Sequence, residues 1–238
     1  MPFGLTRPLI ARVLPFVIFM ILLAVRGELP ADGSAGIDPR WVYGITVVVV
    51  GAALAYFWRQ YPELGRGSGM SLSQCSLALL VGVVVFVLWI RLDQPWMHLD
   101  HLMSTLGLGK AGEAAATFKP VDAQGQLIWP LVVVRWLGAA LLVPVMEELF
   151  WRSFLMRWVD KPDFEQQDPR SVSLKAIALS TFVFMLAHTL WLAAIVAGLA
   201  YAWLYKRTGS LWAPIVAHGV TNGLLGVWVV LTGNWQFW

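Results

Sequence analysis

The chain has 238 residues, 58% hydrophobic and 13% charged, with a mean hydropathy of +0.68 and a formal net charge of +3. Soluble domains average roughly 25% charged and about 45–50% apolar residues, so this composition excludes an ordinary water-soluble domain and points to a polytopic membrane protein. The small, scattered positive charge argues against nucleic acid as a partner, and the single cysteine, Cys75, excludes an internal disulfide and a cysteine-based metal site.

Seven apolar segments follow one another, read against the ~20 apolar residues that a helical span needs. The first, Leu9 to Val25, lies between Arg7 and Arg12 and a run of small residues from Ala31 to Ala35, a pattern shared with signal peptides; it is read as a retained anchor. Trp41 to Trp58 and Leu72 to Ile90 come next. The connection from about Arg91 to Gln126 is rich in Gly and Ala, contains Pro95 and Pro120, and suits either an ordered cap or a loose loop. The fourth segment runs from Leu127 to Met146 or beyond, the fifth from Leu174 to Thr189, the sixth from Trp191 to Leu204 and the seventh from Leu211 to Leu231. No polar linker separates the fifth from the sixth, which predicts a tight hairpin whose turn stays within protein or at the interface. The fold class expected is all-α, a bundle of about seven transmembrane helices forming a single integral membrane domain over residues 1–238.

Orientation is read from Lys and Arg. A cytoplasmic N-terminus puts eleven on the inner side (Arg7, Arg12, Arg59, Arg66, Arg152, Arg157, Lys161, Arg170, Lys175, Lys206 and Arg207) and five on the outer (Arg26, Arg40, Arg91, Lys110 and Lys119). Arg135, early in the fourth segment, is expected to snorkel outward. His98, Asp100 and His101 lie close together in the outer connection and are read as surface residues.

Ionisable side chains interrupt three of the last four segments: Glu147 and Glu148 in LLVPVMEELFWR, His188 in TFVFMLAH, and His218 in LWAPIVAHGVTN. A charged residue at the centre of a membrane helix costs on the order of 2.5–3.5 kcal/mol on insertion scales, so such residues mark function, in an enzyme or in an ion-coupled transporter. Residues four apart share a helical face. Glu148 and Arg152 are therefore expected to pair, while Glu147 points about 100° away and stays free. Pro144 removes a donor and predicts a local kink with access for water. Phe184 precedes His188 by one turn and is expected to hold its ring; Asn222 follows His218 by one turn and is expected to place an amide beside it. A lone helical histidine is ordinarily a satisfied buried polar group, but these residues share a level. At ~1.5 Å per residue Glu147 lies ~15 Å from Arg157, His188 ~20 Å from Lys175 and His218 ~17 Å from Arg207, as one inward-facing site requires.

At these residues the chain resembles the CAAX protease and bacteriocin-processing family of intramembrane peptidases, whose pattern is EExxxR, then FxxxH, then HxxxN or HxxxD. The motifs stand here as Glu147-Glu148-Leu-Phe-Trp-Arg152, Phe184-Met-Leu-Ala-His188 and His218-Gly-Val-Thr-Asn222, and the likeness covers a peptidase core of about 127–231. The runs VPVMEELFWRSFLMRW and TGNWQFW also look like the branch that accompanies bacterial exosortase surface-sorting systems, which would imply a bacterial inner membrane. The resemblance implies hydrolysis of a membrane-associated protein or peptide within the lipid bilayer. Glu147 would be the base, His188 would help hold the water, His218 and Asn222 would stabilise the oxyanion or complete the site, and Glu148, Arg152 and Phe184 would be structural or substrate-orienting. One Glu and two His (Glu147, His188 and His218) also make a plausible zinc set with an open position. A Glu that ligates metal does not easily act as base, however, and an HExxH helix is absent, so metal-dependent and glutamate-dependent mechanisms both stay open. A non-catalytic membrane scaffold and an ion- or proton-coupled transporter are the alternatives to a peptidase.

Overall fold

A computed structural model describes residues 6–30, 34, 36–65, 67–108 and 117–238. Arg66, Lys110 and most of Ala31 to Ala35 lie outside the described residues. The described chain is helical, with two isolated β-bridges as its only extended pairing. Each apolar segment is a helix: α1 (Arg7–Glu28), α2 (Pro39–Tyr56), α3 (Leu72–Arg91), a short α4 (Leu99–Thr105) in the outer connection, α5 (Trp129–Asp160), α6 (Leu174–Leu186), α7 (Trp191–Thr208) and α8 (Trp212–Thr232). The starts follow local chemistry. Ser71 and Gln74 form a reciprocal capping box at α3, the Ser173 hydroxyl accepts from Ala176 N–H at α6, and Pro8 and Pro39 occupy first-turn positions where no N–H is needed. Gly209 and Gly233 close α7 and α8 at φ of 70° and 71°, a left-handed conformation that glycine adopts without a Cβ penalty.

α1, α2, α3, α5 and α8 are long and apolar enough to cross a membrane. Their outward faces carry exposed Val48, Leu80 and Leu141, the surface a bilayer covers. The chain is thus a polytopic helical membrane bundle. The fifth segment is shorter than expected: α6 ends at Leu186 after 13 residues, about 20 Å of helix against a hydrocarbon core of ~30 Å. Its hairpin with α7 turns over residues 187–190, and the outer connection descends to cover that turn. Leu99 N–H donates to the Thr189 carbonyl at 2.7 Å, His98 bridges Leu190, and Trp191 Nε1 donates to the Trp96 carbonyl at 3.0 Å. The stretch from Pro95 to Thr105 is therefore an ordered cap. His98 also pairs with Asp93 at 2.8 Å, a local contact and not part of a metal clip.

Pro144 does not act through the simple kink expected. Gly138–Leu142 forms a π turn directly before it, and Val143 N–H reaches back five residues to the Gly138 carbonyl. Widening the turn accommodates a residue that cannot donate. A second π turn, Leu149–Leu155, follows, so Glu147 and Glu148 end a short α-helical stretch between two widened ones.

One end of the bundle gathers the N-terminus of α1, the α2–α3 connection, the end of α5 and the α7–α8 turn. There Arg12 is almost fully buried, paired bidentately with Glu63 at 2.7 and 2.8 Å and bonded to the Ser153 hydroxyl at 2.8 Å. Arg157 is also buried and donates to the carbonyls of Gln167 and Glu165 at 2.9 and 2.8 Å. These two cations bind the end of the bundle together besides contributing to its charge. Arg135 is covered at the opposite end instead of reaching freely outward: Phe118 of the outer connection and Tyr43 of α2 lie 5.3 and 4.4 Å from its guanidinium.

Close helix approach depends on Gly82. A Cβ there would stand 2.5 Å from the Ala217 carbonyl oxygen and 2.8 Å from Val220 Cβ, and the first of these is backbone that cannot swing aside. Gly82→Ala is expected to lower stability by about 1–3 kcal/mol, the usual scale of overpacking. Thermal unfolding in detergent would measure it, and a melting temperature equal to the parent's would contradict the contact.

Candidate functional site

Glu148 organises the candidate site. It is fully buried on α5, and its Oε1 accepts from Arg152 Nη1 at 3.2 Å and from His218 Nδ1 at 2.9 Å. Arg152 Nε lies 3.1 Å from Glu148 Oε2, an ion-pair contact without hydrogen-bond alignment, since Oε2 has no hydrogen-bond partner. The expected i,i+4 pair is present. It is extended by a partner that helical spacing does not reveal, an imidazole 70 residues further along the chain.

Arg152 is held on its remaining sides. Nη2 donates to the Gly198 carbonyl at 3.2 Å, and the guanidinium lies 4.8 Å from the Phe184 ring and 5.5 Å from the Tyr201 ring. Gly198 permits this, because a Cβ there would stand 2.9 Å from Thr181 Cγ2 and 3.3 Å from Phe184 Cδ1. Tyr201 also stacks on His218 with centroids 5.0 Å apart and planes 20° from parallel, while its hydroxyl donates to Thr221 Oγ1 at 2.7 Å. Sequence reasoning missed Gly198, Tyr201 and Thr221. Their one signal was a glycine and a tyrosine three apart on one helical face of an otherwise apolar segment.

Phe184 and His188 behave as expected for one face of α6. The rings lie 4.2 Å apart, and His188 Nδ1 is 2.7 Å from the Phe184 carbonyl. A carbonyl only accepts, so Nδ1 carries the proton and Nε2 is left with a lone pair in the neutral ring. Trp89 of α3 meets the ring edge-on at 5.7 Å. The ionised Glu148 carboxylate likewise assigns the proton to His218 Nδ1, so the two imidazoles share one orientation of their chemistry.

Glu147 is 8% exposed, and its Oε2 has no hydrogen-bond partner among the described residues. It is the free carboxylate of the pair. The Asn222 amide, one turn from His218, is engaged with α5. Its Nδ2 donates to the Ala139 carbonyl at 2.9 Å, inside the first π turn. Widening a helix displaces carbonyls from their ordinary donors, and the amide supplies one of these with a partner.

The zinc expectation meets a geometric obstacle. The two imidazoles have the tautomer that metal ligands use, with Nδ1–H held by an acceptor. Yet among the described residues no group of three His, Cys, Asp or Glu side chains is placed to hold a metal ion. The donor types suit zinc, and Glu147, His188 and His218 are the residues that would hold it.

Residues 129–224 match the family model described as type II CAAX prenyl endopeptidase Rce1-like. Over this stretch, which is less than half of its length, the chain is similar to the CAAX-type intramembrane peptidases. The matched stretch contains all three motifs, from Glu147 to Asn222. No curated protein and no solved structure matches the chain. The match and the apolar helices together support an integral membrane protease.

Proposed function

We propose that the chain hydrolyses a peptide bond with water activated by Glu147. The observations that carry this reading are the unpartnered, buried Glu147 Oε2 and the two imidazoles whose Nδ1 protons are already committed. Glu147 takes a proton from water, and His188 Nε2 accepts a hydrogen bond that holds the same water. The oxygen adds to the carbonyl carbon. His218, held at Nδ1 by the Glu148 carboxylate, completes the site beside the reacting carbonyl. The proton on Glu147 passes to the amide nitrogen, the C–N bond breaks, and the carboxylic acid and amine formed exchange a proton and leave as carboxylate and ammonium. Glu148, Arg152 and Phe184 position these groups. Asn222 completes the site from below, by fixing the π turn that precedes Glu147.

The test is hydrolysis in ¹⁸O-water by full-length protein in lipid nanodiscs, presented with apolar membrane-type peptides and read by mass spectrometry. One ¹⁸O atom in the new carboxylate of each cleaved peptide is expected. Absence of cleavage across the set would overturn the reading. Metal measured on the same sample is expected to be well below one ion per chain, with activity unchanged by chelation. Stoichiometric zinc lost together with activity would replace the glutamate mechanism with a metal one.

The inner-side positives and the proximity of the α1 start, the α2–α3 connection and the α7–α8 turn support a cytoplasmic N-terminus. In a Cys75→Ser background, Lys161→Cys and Gln124→Cys, both at exposed positions, should react with an impermeant thiol reagent from opposite sides: Lys161→Cys in inside-out vesicles, Gln124→Cys in right-side-out ones. Labelling of both from one side would reject the topology. The likeness of the α5 motif run and the TGNWQFW ending to exosortase-associated proteins supports a bacterial inner membrane and a role beside surface sorting.

A further inference from the structure

Tyr201 reaches the candidate site from α7 and is only 1% exposed. Its ring lies over His218 with centroids 5.0 Å apart and planes 20° from parallel. The 2.9 Å hydrogen bond between His218 Nδ1 and Glu148 fixes one atom of the imidazole and leaves the ring able to turn about that bond. A second ring lying flat against its face removes this freedom. Together the two contacts define a direction for Nε2, the nitrogen that Glu148 does not engage.

The stacking ring must itself be held. A phenol oxygen lies on the axis about which the ring flips, so a hydrogen bond there anchors the far end of the side chain whatever the ring does. The Tyr201 hydroxyl lies 2.7 Å from Thr221 Oγ1, and that oxygen lies 2.9 Å from the Gly82 carbonyl and 3.0 Å from the Ala217 carbonyl. Carbonyls only accept, so the single Thr221 proton is directed at these two oxygens and Thr221 must accept from Tyr201. The phenol proton is thereby committed within the protein. Tyr201 is left to act through its ring and not as an acid towards a substrate.

The relay joins three helices: Tyr201 on α7, Thr221 and His218 on α8, and the Gly82 carbonyl on α3. Gly82 allows α3 this close, since a Cβ there would stand 2.5 Å from the Ala217 carbonyl oxygen. Three positions before Tyr201 on the same helix, the Gly198 carbonyl accepts from Arg152 at 3.2 Å. α7 thus braces both partners of Glu148, Arg152 by a carbonyl and His218 by a ring.

We propose that Tyr201 is a positioning residue for peptide hydrolysis: anchored at its hydroxyl by Thr221, its ring sets the plane of His218 and so the direction of Nε2. The proposal rests on the peptidase reading, in which His218 completes the site.

Tyr201→Phe keeps the ring and removes its anchor. In full-length protein in lipid nanodiscs it is expected to melt close to the parent, to lower kcat at least about tenfold and to leave KM within about twofold, as a small misplacement in an active site does. Thr221→Val removes the acceptor at nearly constant volume and should act like Tyr201→Phe, whereas Thr221→Ser keeps the hydroxyl and should retain most of the rate. ¹⁵N spectra of histidine-labelled protein give a readout independent of turnover, with His218 assigned by its loss in His218→Gln. One set of imidazole resonances with Nδ1 protonated is expected in the parent and in Thr221→Ser, and a second set or exchange broadening in Tyr201→Phe and Thr221→Val. A rate in Tyr201→Phe equal to the parent's would overturn the proposal. So would a slower rate with the His218 resonances unchanged, or a loss of rate matched by an equal loss of melting temperature, which would make the contact merely structural. If the resonances divide as expected while the parent cleaves no peptide, the hold on His218 stands and the peptidase reading fails.

Discussion

Replacing Glu147 with Gln is expected to reduce peptide hydrolysis by about 10²–10⁴-fold or more, the usual contribution of a general base, while leaving the protein as stable as the parent. Both halves follow from its surroundings. The amide is close to isosteric but cannot take a proton from water. Because Glu147 Oε2 has no hydrogen-bond partner among the described residues, the substitution breaks no bond at that oxygen. Stability and activity therefore separate at this position. Initial rates for a cleaved peptide, with detergent melting curves of the same preparations, measure them. Activity within a few-fold of the parent would remove Glu147 from the mechanism. Equal loss of melting temperature and rate would recast it as a structural residue.

Glu148 and Arg152 should behave in the opposite way. Each is almost fully buried, so removing one partner leaves an uncompensated charge at a cost of ~3–5 kcal/mol. Glu148→Gln and Arg152→Gln are expected to melt well below the parent and to lose activity, Glu148→Gln the more because it also releases the 2.9 Å bond that orients His218. The double variant removes both charges together and should be less destabilised than the two losses added, with a coupling on the scale of 0.5–3 kcal/mol. Its activity should remain low, since His218 stays without its carboxylate. A double-mutant cycle without coupling in melting would contradict the pair. Full activity in Glu148→Gln would contradict its hold on His218.

These two glutamates also show how far helical periodicity reaches. That one of two adjacent carboxylates meets Arg152 while the other does not follows from a 100° step per residue, and the sequence carries it. The same reasoning places Phe184 against His188, and the structure has the rings 4.2 Å apart. It does not reveal the partner of Asn222, which shares a helix with His218 and donates to Ala139 across the interface with α5. An amide one turn away competes with every carbonyl on the facing helix, and a π turn leaves such a carbonyl open. Arg12 and Arg135 show a similar limit. Charge counting uses them as markers of sidedness, whereas one is locked to Glu63 and the other is enclosed by Tyr43 and Phe118.

The sequence by itself determined the membrane class, the seven apolar helices, the free and paired glutamates and the three motifs, because hydropathy and spacing along one helix are local properties. Only the tertiary structure decided that Glu148 reaches His218, that Tyr201 and Gly198 support the pair, and that the outer connection covers the short α6–α7 hairpin. It also decided that Pro144 is absorbed in a π turn. Each of these depends on which faces of different helices meet and on how a chain lacking one donor redistributes its carbonyls. Such contacts join residues as far as 142 positions apart, as the Ser210 hydroxyl to the Ser68 carbonyl, and no period within a single helix encodes them.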